Sequence, residues 1–148
     1  MDATNHCFLT AAILDPAALE ASLTDPACGA VAVFIGRVRQ DHRGRAVSRL
    51  DYEAHEALAL KELFNVAEDA RRRWPLGPLV LAHRVGRLEI GDVAVVTAVA
   101  SPHRDDAFAA CRFLIDEVKA RVPVWKHEFY ADSTEAWVGA PGWEQRPA

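Results

Sequence analysis

The sequence predicts an α+β domain with a mostly antiparallel sheet and about three helices. Apolar segments of strand length outnumber segments with helical spacing, and short polar turns join several of them. This pattern favours hairpins over the strict strand–helix alternation of a doubly wound parallel sheet. With 148 residues, 51% of them hydrophobic, the chain can form one domain with a substantial core. We expect that domain to span 1–148, with its core at about 6–138 and a flexible tail at 139–148.

The first apolar segment, residues 6–14, has the length and composition of a strand. Asp15 and Pro16 follow it directly. An aspartate before a proline is a typical helix start, because the carboxylate accepts hydrogen bonds from the first amide groups and proline suits the first helical position. Two leucines four positions apart then share one face, so we expect a short helix that ends near residues 24–26.

The next segments predict a strand pair and a long helix. Residues 29–39 are rich in valine and phenylalanine, 40–45 form a polar turn, and 47–54 read as a second strand, so we expect the two strands to pair as a hairpin. A helix follows, ended by Pro75, because proline cannot continue a helix. Its apolar residues recur at helical spacing: Leu60, Leu63, Phe64, Ala67 and Trp74.

The second half of the chain repeats the same kinds of element. Residues 79–88 and 92–100 are apolar strands, and the short segment 89–91 suits a hairpin turn between them. A last helix is expected from 102 to about 121, with Ser101 as its cap, because apolar residues recur along one face. Residues 126–130 close the domain as a strand.

Composition limits the function classes. The formal net charge of −4 argues against general affinity for nucleic acid, which needs a basic surface. No apolar run reaches the length of a membrane span, and the first residues lack the features of a signal peptide. Cys7, Cys28 and Cys111 form no C-x-x-C pair, which favours a reducing compartment. We therefore expect a cytoplasmic protein that binds neither a membrane nor nucleic acid.

Two lysines near the end of the last predicted helix are candidate catalytic residues. Lys119 falls in the final turn of that helix and Lys126 opens the next strand, with a rigid Val-Pro turn between them. Two nearby ammonium groups repel each other, which lowers the pKa of at least one and makes a neutral amine available for proton transfer. Two solvated surface lysines are the ordinary alternative, and at Lys119 the four-carbon stem could simply cover apolar surface.

Two further groups of cations suggest an anion site. His103 and Arg104 lie at the predicted start of the last helix, where the helix dipole favours a phosphate, although Arg104 could instead pair with a neighbouring aspartate. Arg37 and Arg39 alternate along a strand end and so share one face, which suits a phosphate or a carboxylate. Because the overall charge is negative, we expect these cations to serve a small anion.

Sequence motifs for metal, nucleotide and serine-hydrolase chemistry are missing. The chain contains no H-E-x-x-H, no zinc-type Cys/His spacing, no glycine-rich phosphate loop with its lysine and no G-x-S-x-G. We expect neither a metal nor another cofactor. His6, His55 and His83 lie in predicted strands or at a helix start, and we expect packing or surface roles for them.

Five motifs together resemble the catalytic, larger subunit of molybdopterin synthase. They occur in the family's order with similar intervals, over roughly residues 6–138: 34–39, 72–77, 83–86, 101–108 and 119–126. The resemblance implies an α/β hammerhead fold, a homodimer, and two copies of a small ubiquitin-like partner that complete a heterotetramer. It also implies that the partner's C-terminal Gly-Gly tail carries a thiocarboxylate and gives its sulfur to cyclic pyranopterin monophosphate. Two such transfers form the dithiolene of molybdopterin.

The resemblance also assigns roles to individual residues. Lys119 and Lys126 match the family's active-site lysines, and Phe34 and Ile115 match positions near the channel for the partner's tail. The positions that match substrate-binding residues, besides the two lysines, are Arg37, Val38, Arg39, His103, Arg104, His127 and Glu128. In a dimer, the cations of the early strand and those of the last helix could come from different subunits.

Two other functions remain open at this point. A catalytically silent anion-binding scaffold could keep the same fold, dimer and arginines and use the lysines only for charge. An acyl transferase or hydrolase with a lysine nucleophile would need no protein partner and would form a covalent adduct with a small activated ester.

Overall fold

The computed structural model describes residues 4–139 and arranges them as two sheets and three helices. The predicted α+β class, with mostly antiparallel strands and three helices, is confirmed. No helix within residues 4–139 has the length and hydropathy that a membrane span requires. In chain order the elements are β1 (Asn5–Thr10), α1 (Pro16–Ala21), β2 (Ala30–Arg37), β3 (Asp41–His42), β4 (Arg45–Ala54), α2 (Glu56–Arg73), β5 (Leu79–Arg84), β6 (Gly86–Glu89), β7 (Val93–Ser101), α3 (Arg104–Arg121), β8 (Val124–Tyr130) and β9 (Glu135–Gly139).

One sheet has four strands in the order β1-β5-β7-β2, in which β1 and β5 run parallel, and we call it the larger sheet because its strands are longer on average. Both long helices bury their apolar faces against one side of this sheet, since Leu63 and Val66 of α2 and Leu114 and Val118 of α3 belong to the same core cluster. The opposite side buries Leu23, just after α1, against small and β-branched residues of β5 and β7. Strand β2 lies at the sheet edge beside α3.

The other sheet, here called the smaller sheet, has five strands that are shorter on average: their order is β3-β4-β8-β9, and β6 pairs with β4. Period-2 alternation gives this sheet two distinct faces. Leu50 and Leu88 project from one face and pack on Val38 and Ala94, which come from the larger sheet's side of the molecule. The same face of β4 and β8 carries several polar side chains, and it forms one wall of the site described below.

Two sequence-based pairings differ from the structure. Residues 29–39 and 47–54 do not form a hairpin with each other, because β2 pairs with β7 and β4 pairs with β8. The turn at Arg43 and Gly44, both with positive φ, instead joins the two-residue strand β3 to β4. Residues 79–88 also form two strands: at Gly86, whose φ is +87°, the chain leaves the larger sheet for the smaller one. The pairing of β5 with β7 is confirmed.

One of the two predicted helix caps is confirmed and the other is wrong. Asp15 caps α1, since its Oδ1 accepts hydrogen bonds from the amides of Ala17 and Ala18 at 3.1 and 3.3 Å. Ser101 does not cap α3. It ends β7 and is fully buried, and His103 occupies the N-cap position. The predicted flexible tail lies outside the described residues, apart from Gly139 at the end of β9.

Candidate active site

The chain between α3 and β8 brings the two lysines to one place. Lys119 lies in the last turn of α3, which ends at Arg121, and Lys126 is the third residue of β8. The connection is held at Pro123, whose carbonyl accepts a hydrogen bond of 3.2 Å from the amide of His55. A rigid, anchored turn therefore lets a helix end and a strand start present both amines to the same space.

That shared space is a cavity of about 490 Å³, here called the cation cavity. Its floor is the inner face of the smaller sheet, and its rim is formed by the end of β2 and the following loop. Four cationic side chains reach it, so it favours an anion. The lining residues are Phe34, Ile35, Gly36, Arg37, Val38, Arg39, Asp41, His42, Leu50, Tyr52, Lys119, Lys126 and Glu128.

A second, smaller space of about 210 Å³ lies on the other side of the lysine pair, and we call it the rear chamber. Valine side chains dominate its walls, and Tyr52 and both lysines border it as well as the cation cavity. The lining residues are Tyr52, His83, Val95, Val118, Lys119, Val122, Val124, Lys126, Val138 and Gly139.

The third space is an apolar groove of about 620 Å³ between β2 and α3. Its walls include the exposed side chains of Val31, Val33 and Phe108, while Ile115 is buried in its floor. It meets the cation cavity at Phe34 and Lys119. The lining residues are Val31, Ala32, Val33, Phe34, Phe108, Cys111, Arg112, Ile115, Asp116 and Lys119.

Lys119 is the residue common to all three of these spaces. Its side chain is accessible because the spaces open onto it, yet the surrounding protein displaces enough water to lower its pKa. The positive charges of Lys126 and Arg39 lower the pKa of Lys119 further. The sequence suggested repulsion between the lysines as the main cause, whereas in the structure desolvation comes first.

Lys126 is half-buried, and burial likewise lowers its pKa. The carboxylate of Glu128 acts in the opposite direction and raises the pKa of Lys126, while Arg39 and Arg43 lower it. Glu128 is only 2% exposed. Its Oε1 atom lies 2.6 Å from His42 Nδ1 and accepts a hydrogen bond of 3.0 Å from the Tyr130 hydroxyl. The two amines therefore have different electrostatic surroundings, which allows them different protonation states.

The structure places most of the sequence-predicted site residues together. Arg37, Val38, Arg39 and Glu128 line the cation cavity with the two lysines. Of these, Val38 is 5% exposed and packs in the small core between the sheets, and Arg37 also donates a hydrogen bond of 3.2 Å to the Gly91 carbonyl. The two predicted channel residues, Phe34 and Ile115, line the groove.

Three predicted substrate-binding residues lie elsewhere in the single chain. His103 and Arg104 are exposed at the start of α3, and Arg104 lies fifteen positions before Lys119, which corresponds to about 22 Å along the helix. His127 projects from the outer face of the smaller sheet, where its ring stacks between Phe129 and Trp137 with centroid distances of 4.2 Å. Neighbouring residues on a strand point to opposite faces, which separates His127 from Lys126 and Glu128.

Sequence reasoning missed several residues of the site. His42 lies in what the sequence presents as an ordinary polar turn, and Tyr52 and His83 lie in strands otherwise typical of packing. Their contacts with the lysine site depend on how the two sheets meet, which no local pattern shows. The available signal was a histidine in the largely apolar strand β5, because buried polar side chains need partners.

The fold and the site define an α+β domain whose paired lysines stand beside a cavity lined by cationic side chains and an apolar groove. The family described as MoaE protein has a model that matches residues 9–121. The chain belongs to this family.

Individual relatives agree with this assignment. The chain is 41% identical over 138 residues to the molybdopterin synthase catalytic subunit of Nostoc sp., a match that covers 93% of this chain and 84% of the relative. It is 45% identical over 114 residues to the protein of the same name from Halalkalibacterium halodurans, covering 77% and 72%. Among solved structures, molybdopterin synthase from Staphylococcus aureus superposes with a TM-score of 0.84 at 34% identity, covering 89% of this chain and 96% of that one.

Proposed function

We propose that this chain is the catalytic subunit of a molybdopterin synthase. In this proposal it transfers sulfur from the C-terminal thiocarboxylate of a small ubiquitin-like partner to cyclic pyranopterin monophosphate. Family membership and the names of the relatives support the assignment. The observation that carries the chemistry is the position of Lys119, where the apolar groove meets the cation cavity.

The cation cavity suits the pterin substrate. Its volume of about 490 Å³ falls within the range of roughly 300–1,000 Å³ that is typical of small-molecule sites. Arg37 and Arg39 can bind the phosphate, since guanidinium groups match phosphate oxygens in charge and geometry. Lys126 would then hold the substrate from the floor of the cavity.

The apolar groove suits the partner's tail. An extended Gly-Gly segment has no side chains to obstruct it, so it can follow the groove between β2 and α3 as far as Lys119. Phe34 and Ile115 would cover the tail and keep water from the acyl–sulfur group before transfer.

Lys119 is placed to serve both reacting groups. The thiocarboxylate sulfur bonds to a substrate carbon in place of an oxygen, and the broken carbon–oxygen bond releases that oxygen as water or as a phosphate oxygen. A water molecule then attacks the acyl carbon and breaks the acyl–sulfur bond, so that the sulfur stays on the substrate and the carrier leaves as a carboxylate. In this proposal the ammonium form of Lys119 stabilises negative charge as it develops, and the amine form accepts a proton. Two rounds produce the dithiolene. No metal or other cofactor is part of this proposal.

A second copy of the chain is part of the proposed assembly. His103 and Arg104 lie about 22 Å along α3 from Lys119, so within one chain they cannot join Arg39 on the same phosphate. We assign them to the site of the other subunit in a homodimer, with one small partner on each subunit. The cytoplasm remains the predicted compartment.

The test is reconstitution with purified components. The chain is mixed with thiocarboxylated partner and cyclic pyranopterin monophosphate, and the dithiolene product is measured. We expect Lys119→Ala to lower turnover by about 10²–10⁴-fold. Lys61→Ala is the matched control, because Lys61 is exposed on α2 and is the one remaining lysine of the sequence.

Three outcomes would contradict the proposal. Full turnover by Lys119→Ala would exclude the role of this amine. Binding of both reactants by the unmodified chain without any dithiolene would indicate a scaffold. A covalent lysine adduct with a small activated ester, formed and released without the partner, would indicate acyl transfer by a nucleophilic lysine.

A further inference from the structure

The rear chamber has no role in the proposed transfer, yet it borders both lysines. Its walls are mostly valine, and its polar groups are the two amines, the Tyr52 hydroxyl and the imidazole of His83. His83 is 8% exposed. A polar ring among valines calls for a physical reason, because each of its polar atoms needs a partner or water to offset the cost of burial.

The tautomer of His83 follows from its contacts. Its Nδ1 atom lies 2.8 Å from the carbonyl oxygen of Arg84, so Nδ1 carries the proton and donates. Burial, with a smaller contribution from the charge of Lys119, lowers the pKa of His83 to about 4, although the hydrogen bond to Arg84 acts in the opposite direction. The ring is therefore neutral near pH 7, and Nε2 carries a lone pair that can only accept a hydrogen bond.

The groups around His83 leave few partners for that lone pair. Leu9 and Val95 are its register partners on β1 and β7, and neither can donate from its side chain. Tyr52 meets the imidazole edge to face, with ring centroids 4.8 Å apart. The remaining donors on the chamber wall are the amines of Lys119 on α3 and Lys126 on β8.

Within residues 4–139, the two amines have no side-chain acceptor at hydrogen-bond distance. Among the side chains of residues 4–139, no hydrogen bond or ion pair holds either lysine nitrogen. Lys126 has the nearby charge of Glu128, but the charges that act on Lys119 are positive. An ammonium group with three donors therefore shares a chamber with an imidazole acceptor, and the chamber has room for a bridging water.

We propose that His83 is a positioning residue for Lys119: its Nε2 atom accepts a hydrogen bond from one bound water in the rear chamber, and that water accepts a hydrogen bond from the Lys119 amine. This hydrogen bond orients the amine toward the junction of the groove and the cation cavity. The role deepens the proposed sulfur transfer and rests on it for its effect on turnover. The hydrogen bond itself does not depend on that reaction.

Two variants of His83 test the roles of its two ring nitrogens separately. In His83→Asn the amide nitrogen replaces Nδ1 and can still donate to the Arg84 carbonyl, while the acceptor at the Nε2 position is lost. In His83→Gln the side chain carries an acceptor to about the Nε2 position. His6→Asn is the matched control, since His6 is exposed on β1 and lines none of the three spaces.

The first readout is the pKa of Lys119, which is measured by NMR titration of isotope-labelled lysine in the folded chain. A hydrogen bond to the ammonium form favours that form, so we expect the pKa of Lys119 to fall in His83→Asn and to stay near the wild-type value in His83→Gln and His6→Asn. An unchanged pKa of Lys119 in His83→Asn would overturn the proposal.

The second readout is turnover in the reconstituted system. We expect His83→Asn to lower kcat about tenfold or more, while KM for the pterin changes less than about threefold. The pH–rate limb that reports Lys119 should move to lower pH. His83→Gln should recover kcat to within about threefold. Equal losses in both variants, matched by equal losses of thermal stability, would mean that His83 only packs. If the wild-type chain forms no dithiolene, the proposed function fails, and the lysine titration still decides the role of His83.

Discussion

His42 Nδ1 lies 2.6 Å from Glu128 Oε1, although 86 positions separate the two residues along the chain. The contact ties the short hairpin formed by β3 and β4 to β8, two residues beyond Lys126. Tyr130 donates to the same carboxylate oxygen at 3.0 Å. A buried carboxylate in a cavity rich in cations is thus held by its neighbours, which makes Glu128 an organiser of the cavity wall as well as a candidate substrate contact.

Replacing this carboxylate tests that interpretation. We expect Glu128→Gln to lower the pKa of Lys126, because the negative charge that raises it is removed. The free energy of unfolding should fall by about 1–3 kcal/mol, since buried partners lose a charged acceptor. Lysine NMR titration and urea unfolding measure the two effects. Tyr130→Phe removes one hydrogen-bond donor to Glu128 but keeps the charge of Glu128, so the pKa of Lys126 should stay at the wild-type value in that variant. A pKa of Lys126 that is identical in Glu128→Gln and wild type would refute the coupling.

Removing the amine of Lys119 should stabilise the fold while it lowers activity. The folded state lowers the pKa of Lys119 below its ordinary value of 10.5, so at neutral pH folding disfavours the charged form. Lys119→Met should therefore raise Tm, where each kcal/mol gained corresponds to roughly 3 °C for a domain of this size. The gain in Tm should shrink as pH rises toward 10.5, because Lys119 then loses its proton in the unfolded chain as well as in the folded chain. Calorimetry across pH checks this, with Lys61→Met as the exposed control. A lower Tm for Lys119→Met at pH 7 would contradict the argument.

His83 should make the fold sensitive to acid. Its pKa is about 4 in the folded chain against 6.5 for an ordinary histidine, so the unfolded chain takes up a proton first as pH falls. The contribution of neutral His83 to the free energy of unfolding is fully present above pH 6.5 and is lost as pH falls from about 6.5 to 4. This contribution amounts to about 3 kcal/mol. Urea unfolding at several pH values should show a shallower pH dependence in His83→Gln than in wild type over that window. Parallel curves would show that His83 titrates normally in the folded chain.

Arg39 should affect both substrate affinity and the lysines. Its charge lowers the pKa of Lys119 and of Lys126, so both pKa values should rise in Arg39→Ala. Loss of a charged contact to phosphate should raise KM for the pterin by about 10–100-fold. Steady-state kinetics over a pH range measures both effects. Arg87→Ala is the control, because Arg87 pairs with Glu89 away from the cavities. An unchanged KM in Arg39→Ala would place the phosphate elsewhere.

The groove should bind the partner's tail through its apolar wall. Phe34 is 37% exposed and stands where the groove meets the cation cavity. We expect Phe34→Ala to weaken binding of a peptide ending in Gly-Gly by about 5–100-fold, the affinity equivalent of roughly 1–3 kcal/mol of apolar contact. Isothermal titration calorimetry measures the affinity. Ile13→Ala is the control, because Ile13 is 81% exposed and lines none of the three spaces. Equal affinities for the Phe34 variant and wild type would exclude the groove as the tail site.

The elements of this fold were largely predictable, since each leaves a local pattern. Helices α2 and α3 have one apolar face, and Asp15 before Pro16 marks the start of α1. Strand pairing was not predictable in the same way. Whether β4 pairs with β2 or with β8 depends on which sheet buries Leu50, and the change of sheet at Gly86 follows from a positive φ that sequence alone does not reveal.

The lysine pair could be predicted because Lys119 and Lys126 flank one short connection. The grouping of Arg37, Arg39 and Glu128 around them came from the family resemblance, and the structure supplies its geometry. His83 could not be assigned beforehand. Its relation to Lys119 arises only when the larger sheet, α3 and the smaller sheet enclose a common space, and no spacing in the chain encodes that meeting.

The position of Lys119 on the walls of all three spaces has a consequence for the order of binding. An anion seated among the arginines would compensate nearby positive charge and raise the proton affinity of the Lys119 nitrogen. A tail that fills the groove would displace solvent and so lower the proton affinity of Lys119. Binding of the anion or of the tail therefore changes the protonation of Lys119 that the other ligand meets. The order in which the two bind can thus control the reaction without a conformational change.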